Sequence, residues 1–321
     1  MKNRIAKGYA LADLQQNRRK KRYLVFEGFS DQQMDISTGV NLRVRVAGTG
    51  PAVLLLHGYP QTHVCWHKVA PALVEAGFTV VLSDLRGYGD SGKPPTDDDH
   101  SPYSKRAMAA DQAELMQLLG FNTFGVAGHD RGGRVAHRLA RDYPDRLAAL
   151  AVLDIAPTAH MYAKTERVFA TGYYHWFFLI QPKPLPERLI GGDPEYYLRS
   201  KMSAWSKGNT KAFSAEAMAE YVRCFKDEAC ISASCEDYRA AAGIDLEHDK
   251  EDETRKLAMP VLVLWGAKGL VGKLYDVRAV WEKYANVVEG FSFPCGHFLP
   301  EEEAEKTSAA LVQFFRKNFR G

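Results

Sequence analysis

Gly125-Val126-Ala127-Gly128-His129-Asp130-Arg131-Gly132-Gly133-Arg134 is the stretch whose reading decides the fold. It has a small–x–nucleophile–x–small pattern, with Asp130 where such a turn usually carries serine. The apolar run Phe124 to Ala127 before it reads as a buried strand, and Val135 to Tyr143 after it reads as a helix. Strand, turn and helix are the context in which this pattern becomes a nucleophile elbow. Glycines at 128 and 132 allow a turn sharp enough to hold the central side chain above the sheet. The plain alternative is an aspartate that caps the helix beginning at Arg131.

An aspartate nucleophile selects a chemistry. A carboxylate attacking an ester would give an unfavourable mixed anhydride. It is suited to displacement at saturated carbon, expelling halide or opening an epoxide to leave an alkyl-enzyme ester. Water then hydrolyses that ester at the aspartate carbonyl. A carboxyl-ester hydrolase is disfavoured without serine at the elbow.

Outward from the elbow, short apolar strands alternate with amphipathic helices. Strands are expected at Tyr23–Phe29, Leu42–Val46, Val53–Leu56, Thr79–Ser83, Phe124–Ala127, Ala149–Ile155, Val261–Trp265 and Val287–Phe293. Helices are expected at Val64–Ala76, Lys105–Leu119, Arg131–Tyr143, Tyr275–Tyr284 and Ala304–Phe319. The pattern predicts an α/β protein with a mostly parallel eight-stranded sheet, helices on both faces and an antiparallel edge. Between about Pro157 and Met259 the strand pattern stops, and aromatic and helix-forming residues dominate. This reads as an inserted helical cap, broken at Pro182, Pro184 and Pro186 and again at Gly191-Gly192-Asp193-Pro194. The expected organisation is a basic tail (1–22), a first core part (23–156), the cap (157–259) and a second core part (260–321). A lid of this kind excludes water and lends side chains to a ligand.

Composition sets bounds on function. The 321 residues are 46% hydrophobic and 25% charged, as in an ordinary globular enzyme. No apolar run approaches the roughly 18–20 residues that span a bilayer. The basic N-terminus lacks the apolar core of a secretory signal. Five cysteines (Cys65, Cys224, Cys230, Cys235, Cys295) lack metal-site spacing and read as reduced thiols of a cytoplasmic protein. The net charge is +3, of which residues 1–22 supply +7, so the remainder carries −4. The run Arg18-Arg19-Lys20-Lys21-Arg22 reads as a solvated tail. The mildly acidic body argues against a nucleic-acid binder, and no membrane partner is expected.

The second step needs a base. His297, in Cys295-Gly296-His297-Phe298, follows the last expected strand, as the chain order nucleophile, acid, histidine requires. An acid after the seventh strand, in a Trp-Gly-x-x-Asp context, would complete the set. Here that stretch is Trp265-Gly266-Ala267-Lys268-Gly269, which has none. Asp154, at the end of the sixth strand, can reach the same imidazole from the neighbouring strand, with Asp276 as the fallback. After the third strand, His57-Gly58-Tyr59-Pro60 nominates the Tyr59 amide, with that of Arg131, for an oxyanion hole. Arg131 and Arg134 begin one face of the same helix. Two guanidiniums there suggest a substrate carboxylate held bidentately, and they should keep Asp130 ionised.

With Gly128-His129-Asp130-Arg131-Gly132-Gly133-Arg134 in view, the chain resembles the fluoroacetate (haloacetate) dehalogenases of the α/β-hydrolase fold, over roughly residues 25–318. His57-Gly58-Tyr59-Pro60-Gln61 and Asp84-Leu85-Arg86-Gly87-Tyr88-Gly89-Asp90-Ser91 support this weakly. Tyr174-His175-Trp176, Cys235-Glu236-Asp237-Tyr238-Arg239 and Gly296-His297-Phe298-Leu299-Pro300 complete the likeness, and the paired arginines with the His-Trp and Glu-Asp-Tyr-Arg stretches make it specific. The resemblance implies a hydrolytic dehalogenase of short 2-haloacids without metal or cofactor. Its partners would be the haloacid and water, and the family is often homodimeric. It implies Asp130 as nucleophile, a triad completed by His297 and Asp154, carboxylate binding by Arg131 and Arg134, and halide binding by His175, Trp176 and Tyr238. Trp205 is a further candidate for the pocket wall. The basic extension and Cys295 depart from the family pattern. An epoxide hydrolase of the same fold is the nearest rival, with Tyr173 or Tyr174 beside Tyr238 as its tyrosine pair. A non-catalytic binding protein of this fold would have no need of the Asp130, His297 and Asp154 set.

Overall fold

The computed structural model describes residues 26–319. The basic tail and the start of the strand expected at Tyr23–Phe29 lie outside these residues. The chain enters through strands β1 (Gln32–Asp35), β2 (Asn41–Ala47) and β3 (Ala52–Leu56). A 3-10 turn at His63–Trp66 and helix α1 (Ala70–Glu75) lead to β4 (Thr79–Ser83). Helix α2 (Lys105–Leu118) precedes β5 (Phe124–His129), which turns directly into α3 (Arg131–Asp142) and then β6 (Leu147–Leu153). Eight helices then run without a strand: α4 (Thr158–Ala163), α5 (Arg167–Gly172), α6 (His175–Phe178), α7 (Leu185–Gly192), α8 (Pro194–Trp205), α9 (Ala215–Phe225), α10 (Glu228–Ala242) and α11 (Ile244–Glu251). The chain ends with β7 (Val261–Gly266), α12 (Leu270–Leu274), α13 (Val277–Trp281), β8 (Val288–Phe293), α14 (Leu299–Glu302) and α15 (Ala304–Asn318).

All eight strands form one sheet in the order β1-β2-β4-β3-β5-β6-β7-β8. β1 and β2 are antiparallel to their neighbours, and every other pair is parallel. β3, β4 and β5 are buried along their whole length, as parallel strands covered on both faces must be. Gly125 abuts Phe315 of α15, whereas Gly128 abuts the backbone of α3. Residues three apart on a strand point to opposite faces, so the two helices cover opposite sides of the sheet. The chain leaves β3 toward β4 on one side and returns to β5 on the other. This reversal opens a crevice at the carboxyl ends of β3 and β5, where open α/β sheets bind ligands.

The elements differ from the sequence expectation where apolar pattern is a weak guide. The first strand is not at residues 26–29, which form a turn, but at Gln32–Asp35. That strand is polar and largely exposed, so it carries no alternation to read. The helix expected over Val64–Ala76 is a 3-10 turn followed by α1, with Pro71 in the first turn of α1. The helix expected over Tyr275–Tyr284 shortens to α13, capped by Asp276, with α12 before it. The breaks at residues 182–186 and 191–194 overlap the two ends of α7, the first including its opening residues and the second running into the start of α8. No helix among the described residues is long and apolar enough to cross a membrane.

Candidate active site

Asp130 stands at the β5–α3 turn with φ of 48° and ψ of −116°. A non-glycine residue there costs about 1–3 kcal/mol of backbone strain. Its side chain makes no capping hydrogen bond to α3, so the helix-cap alternative is not what the structure shows. The neighbouring glycines have another purpose: neither Gly128 nor Gly132 has positive φ. A Cβ on Gly132 would fall 2.4 Å from the His57 carbonyl, and one on Gly128 would fall 2.3 Å from the Gly132 carbonyl. The strain therefore sits at Asp130, and the glycines let strand, helix and the His57–Tyr59 loop close around it.

That loop holds the carboxylate. The Tyr59 amide donates to Asp130 Oδ1 at 2.9 Å. Gly58 passes so close that a Cβ would meet the Asp130 Cβ at 2.5 Å. Asp130 is buried, and burial alone would raise its pKa. The charge of His297, with those of Arg134 and Arg131, outweighs that and holds it at about 2.

Asp154 follows β6 and is a second aspartate at positive φ, 53°. Its Oδ2 accepts from His297 Nδ1 at 2.6 Å, and its Oδ1 accepts from the Gly266 amide at 2.9 Å. The end of β7 thus offers an amide where no acid is present. Asp276 lies elsewhere, accepting from the Ala279 amide as a helix cap. With Nδ1 engaged by a carboxylate, His297 directs Nε2 toward Asp130 Oδ2, 3.8 Å away, and Nε2 is buried without a partner. Burial disfavours the imidazolium, but the hydrogen bond and charge of Asp154, with the charges of Asp130 and Glu302, raise the His297 pKa above its ordinary value.

The His297 backbone is fixed by three groups to which sequence reading gave no such role, and of these Glu302 was passed over altogether. Its amide donates to the Trp205 carbonyl at the end of α8, at 3.1 Å. Its carbonyl is 2.8 Å from His129 Nε2, and burial beside His297 pushes His129 down to about 3, so that ring is neutral and donates. One carboxylate, Glu302, accepts from the amides on either side of His297, Gly296 and Phe298, each at 2.9 Å.

Arg131 is almost wholly buried and forms a forked ion pair with Asp237 on α10, at 2.6 Å and 2.8 Å. Asp237 also accepts from Lys105 and from the Tyr88 hydroxyl, and these cations hold its pKa far below the usual range despite its burial. This fixes Arg131 with one nitrogen, Nη1, buried and unpartnered. Arg134 gives Nη1 to the Ala156 carbonyl and Thr158 Oγ1 and points Nη2 at Met161 Sδ. Its Nε is buried and unpartnered. Arg134 has no carboxylate partner among the described residues, and burial lowers its pKa.

The helical segment closes over these groups. The Tyr238 ring lies 4.1 Å from the Arg131 guanidinium, and the Trp176 ring 4.7 Å from that of Arg134. His175 sits 5.5 Å from Tyr238 and 4.6 Å from Trp205, whose ring is 5.6 Å from His297. The Tyr238 hydroxyl and His175 Nδ1 are buried without partners. Burial, followed by the nearby Lys201 charge, keeps His175 far below its ordinary pKa and hence neutral. The structure therefore brings Tyr59, Asp130, Arg131, Arg134, Asp154, His175, Trp176, Trp205, Tyr238 and His297 to one place. Among the described residues no group of three or more His, Cys, Asp or Glu side chains is placed to hold a metal ion, and all five cysteines are free and buried.

Known proteins show the same architecture. A sequence model of the α/β hydrolase fold matches residues 51–185. A fluoroacetate dehalogenase from Burkholderia sp is 44% identical over 90% of this chain and 95% of its own. A soluble epoxide hydrolase from Corynebacterium sp. (strain C12) is 36% identical over 86% of this chain and 94% of its own. A crystal structure from Nostoc sp PCC 7120, described as of the α/β hydrolase kind, superposes with a TM-score of 0.89. It is 56% identical and covers 90% of this chain and 99% of the other.

Proposed function

Because the chain belongs to the fluoroacetate dehalogenase family of the α/β-hydrolase fold, we propose that it hydrolyses short 2-haloacids such as fluoroacetate or chloroacetate to glycolate and halide. One observation carries the reading. Two buried guanidinium nitrogens without partners among the described residues, Arg131 Nη1 and Arg134 Nε, belong to the arginines whose charges help keep the buried Asp130 ionised. Buried, unpartnered cationic donors call for an anion, and a carboxylate meets them as two acceptors on one small group.

With the substrate carboxylate on those nitrogens, Asp130 Oδ2 attacks the halogen-bearing carbon. A C–O bond forms, the C–halogen bond breaks, and the halide leaves with the bonding pair toward His175, Trp176 and Tyr238. Donors aimed at the developing halide charge lower this barrier. The Tyr59 amide stays on Oδ1, now the ester carbonyl oxygen. His297 Nε2 takes a proton from water as the water oxygen bonds to the Asp130 carboxyl carbon. The Tyr59 and Arg131 amides stabilise the tetrahedral oxyanion. Collapse expels the glycolate oxygen, which takes the proton from His297 and regenerates the carboxyl of Asp130. Asp154 holds the His297 tautomer throughout.

The epoxide-hydrolase alternative has a relative in its favour and Tyr238 in place. A neutral epoxide, however, gives the two free guanidinium nitrogens nothing to bind; of its two candidate tyrosines, Tyr174 is half exposed and turned over Lys201, whereas Tyr173 is buried beside His175 and Trp205. The test is halide release from fluoroacetate and chloroacetate, with Asp130→Asn as control and an epoxide such as styrene oxide in parallel. Halide release lost in the variant supports dehalogenation. Epoxide opening with no halide release from any haloacid overturns it.

A further inference from the structure

Lys201 is a largely buried cation with no counter-ion among the described residues. It lies on α8, one turn before Trp205, and only 4% of its surface is exposed. Among the described residues its ammonium has no hydrogen bond and no carboxylate in ion-pair range. Three aromatic rings surround it instead, with centroids at 3.5 Å (Tyr174), 5.1 Å (Tyr197) and 5.8 Å (Trp205). Cation–π contacts offset only part of the cost of burying a charge. Burial accordingly pulls its pKa down to about 8, so the ammonium form still predominates at neutral pH.

The charges around the chamber show what this cation faces. Arg131 is matched by Asp237, and Lys105 by Asp237 and Asp245. Arg134 and Lys201 remain without a carboxylate partner. Two negative charges occupy the chamber during the proposed reaction: the substrate carboxylate throughout, and a second that begins on Asp130 and ends on the halide. In the proposed reaction the second charge moves toward His175, whose ring shares Trp205 with the Lys201 cage and feels the charges of both Lys201 and Asp130. His175 is flanked by Trp205 at 4.6 Å and Tyr173 at 5.3 Å, and Lys201 is the cation that most depresses its basicity.

We propose that Lys201 is the fixed counter-charge for the departing halide. It acts through His175 and Trp205 without touching the substrate, and it sets how well the site expels fluoride relative to chloride. The inference rests on the dehalogenase reading. Burial, with the Lys201 charge next, keeps His175 neutral, and the ammonium polarises that ring as a donor. Fluoride concentrates its charge more than chloride or bromide, so it depends most on such a field. The ammonium stays in place as a positioning residue, and no bond to it forms or breaks.

The experiment compares release of fluoride, chloride and bromide from the three haloacetates by wild type, Lys201→Met and Lys201→Arg, with melting temperatures of all three proteins. Lys201→Met should lose on the order of tenfold or more of its fluoride turnover, with less than roughly a threefold loss for chloride and less again for bromide. Its melting temperature should hold or rise, because an unpaired buried charge is gone. Lys201→Arg, which keeps the charge, should retain most of the wild-type fluoride-to-chloride ratio. Equal losses on all three halides with a lowered melting temperature would mean a structural lysine and overturn the proposal. A wild-type enzyme that releases halide while Lys201→Met leaves the ratio unchanged would sink this inference alone. A wild type inactive on every haloacetate would overturn the dehalogenase reading and this inference with it.

Discussion

Arg131 spends Nε and Nη2 on Asp237, 106 residues away in sequence, and keeps Nη1 for the chamber. The aspartate thus decides which edge of the guanidinium is left free. It also joins α3 to α10, so the strand-edge half of the site and the helical half share one charge cluster with Lys105.

Asp237→Asn removes the charge from that cluster and leaves two buried cations poorly matched. Breaking such a pair costs about 3–5 kcal/mol, so the melting temperature should fall. In the protein that still folds, KM for a haloacetate should rise by about tenfold or more, with a smaller change in kcat. Steady-state kinetics on the folded fraction check this. An unchanged KM would show that Arg131 needs no such support.

The two ionisations at the centre fix the acid side of the pH profile. Asp130 is held at about 2, so it remains a carboxylate through the working range. His297 must be neutral to take a proton from water, and its pKa is raised, so ester hydrolysis fails as pH falls through that raised value. The alkyl-enzyme ester should therefore accumulate as pH falls through that raised value, on the alkaline side of an ordinary imidazole, and disappear above it. Intact mass after rapid acid quench, across a pH series, reads the ester. His297→Asn should trap it at every pH.

Asp154→Asn removes the charge that supports the imidazolium and offers an amide to Nδ1. The His297 pKa should fall, moving the acid limb to lower pH, while ester hydrolysis slows by roughly 10²–10⁴-fold. Pre-steady-state halide release should then show a burst followed by a slow phase. A wholly lost burst would place Asp154 in the first step instead.

Glu302→Gln keeps one carbonyl oxygen but turns an NH₂ toward the second of the two amides flanking His297. The ester hydrolysis rate should fall about tenfold, with the first step little changed. Glu302→Ala should be slower still. The same burst experiment separates the steps.

Gly132→Ala places a Cβ 2.4 Å from the His57 carbonyl and drives the loop carrying the Tyr59 amide off Asp130. Overpacking of this kind costs about 1–3 kcal/mol, and activity should fall much further than stability. Gly191→Ala, which meets nothing within 4 Å, is the matched control.

The sequence by itself determined the elbow, the alternation of strand and helix, and the helical break between β6 and β7. These are local patterns: an apolar run, a turn of small residues, a 3.6-residue period. It nominated Asp154 and His297 by chain order alone. Polar and exposed β1 escaped it, because an edge strand is defined by its partner rather than by alternation. Only the tertiary structure decided that Asp154 reaches His297 across 143 residues, that Asp237 leaves one nitrogen of Arg131 free, that Glu302 brackets His297, and that Lys201 has no counter-ion among the described residues. A hydrogen bond or an unpaired charge is a relation between groups that the chain brings together only when it folds. No window along the sequence contains both members of such a pair, so their chemistry is written in the packing.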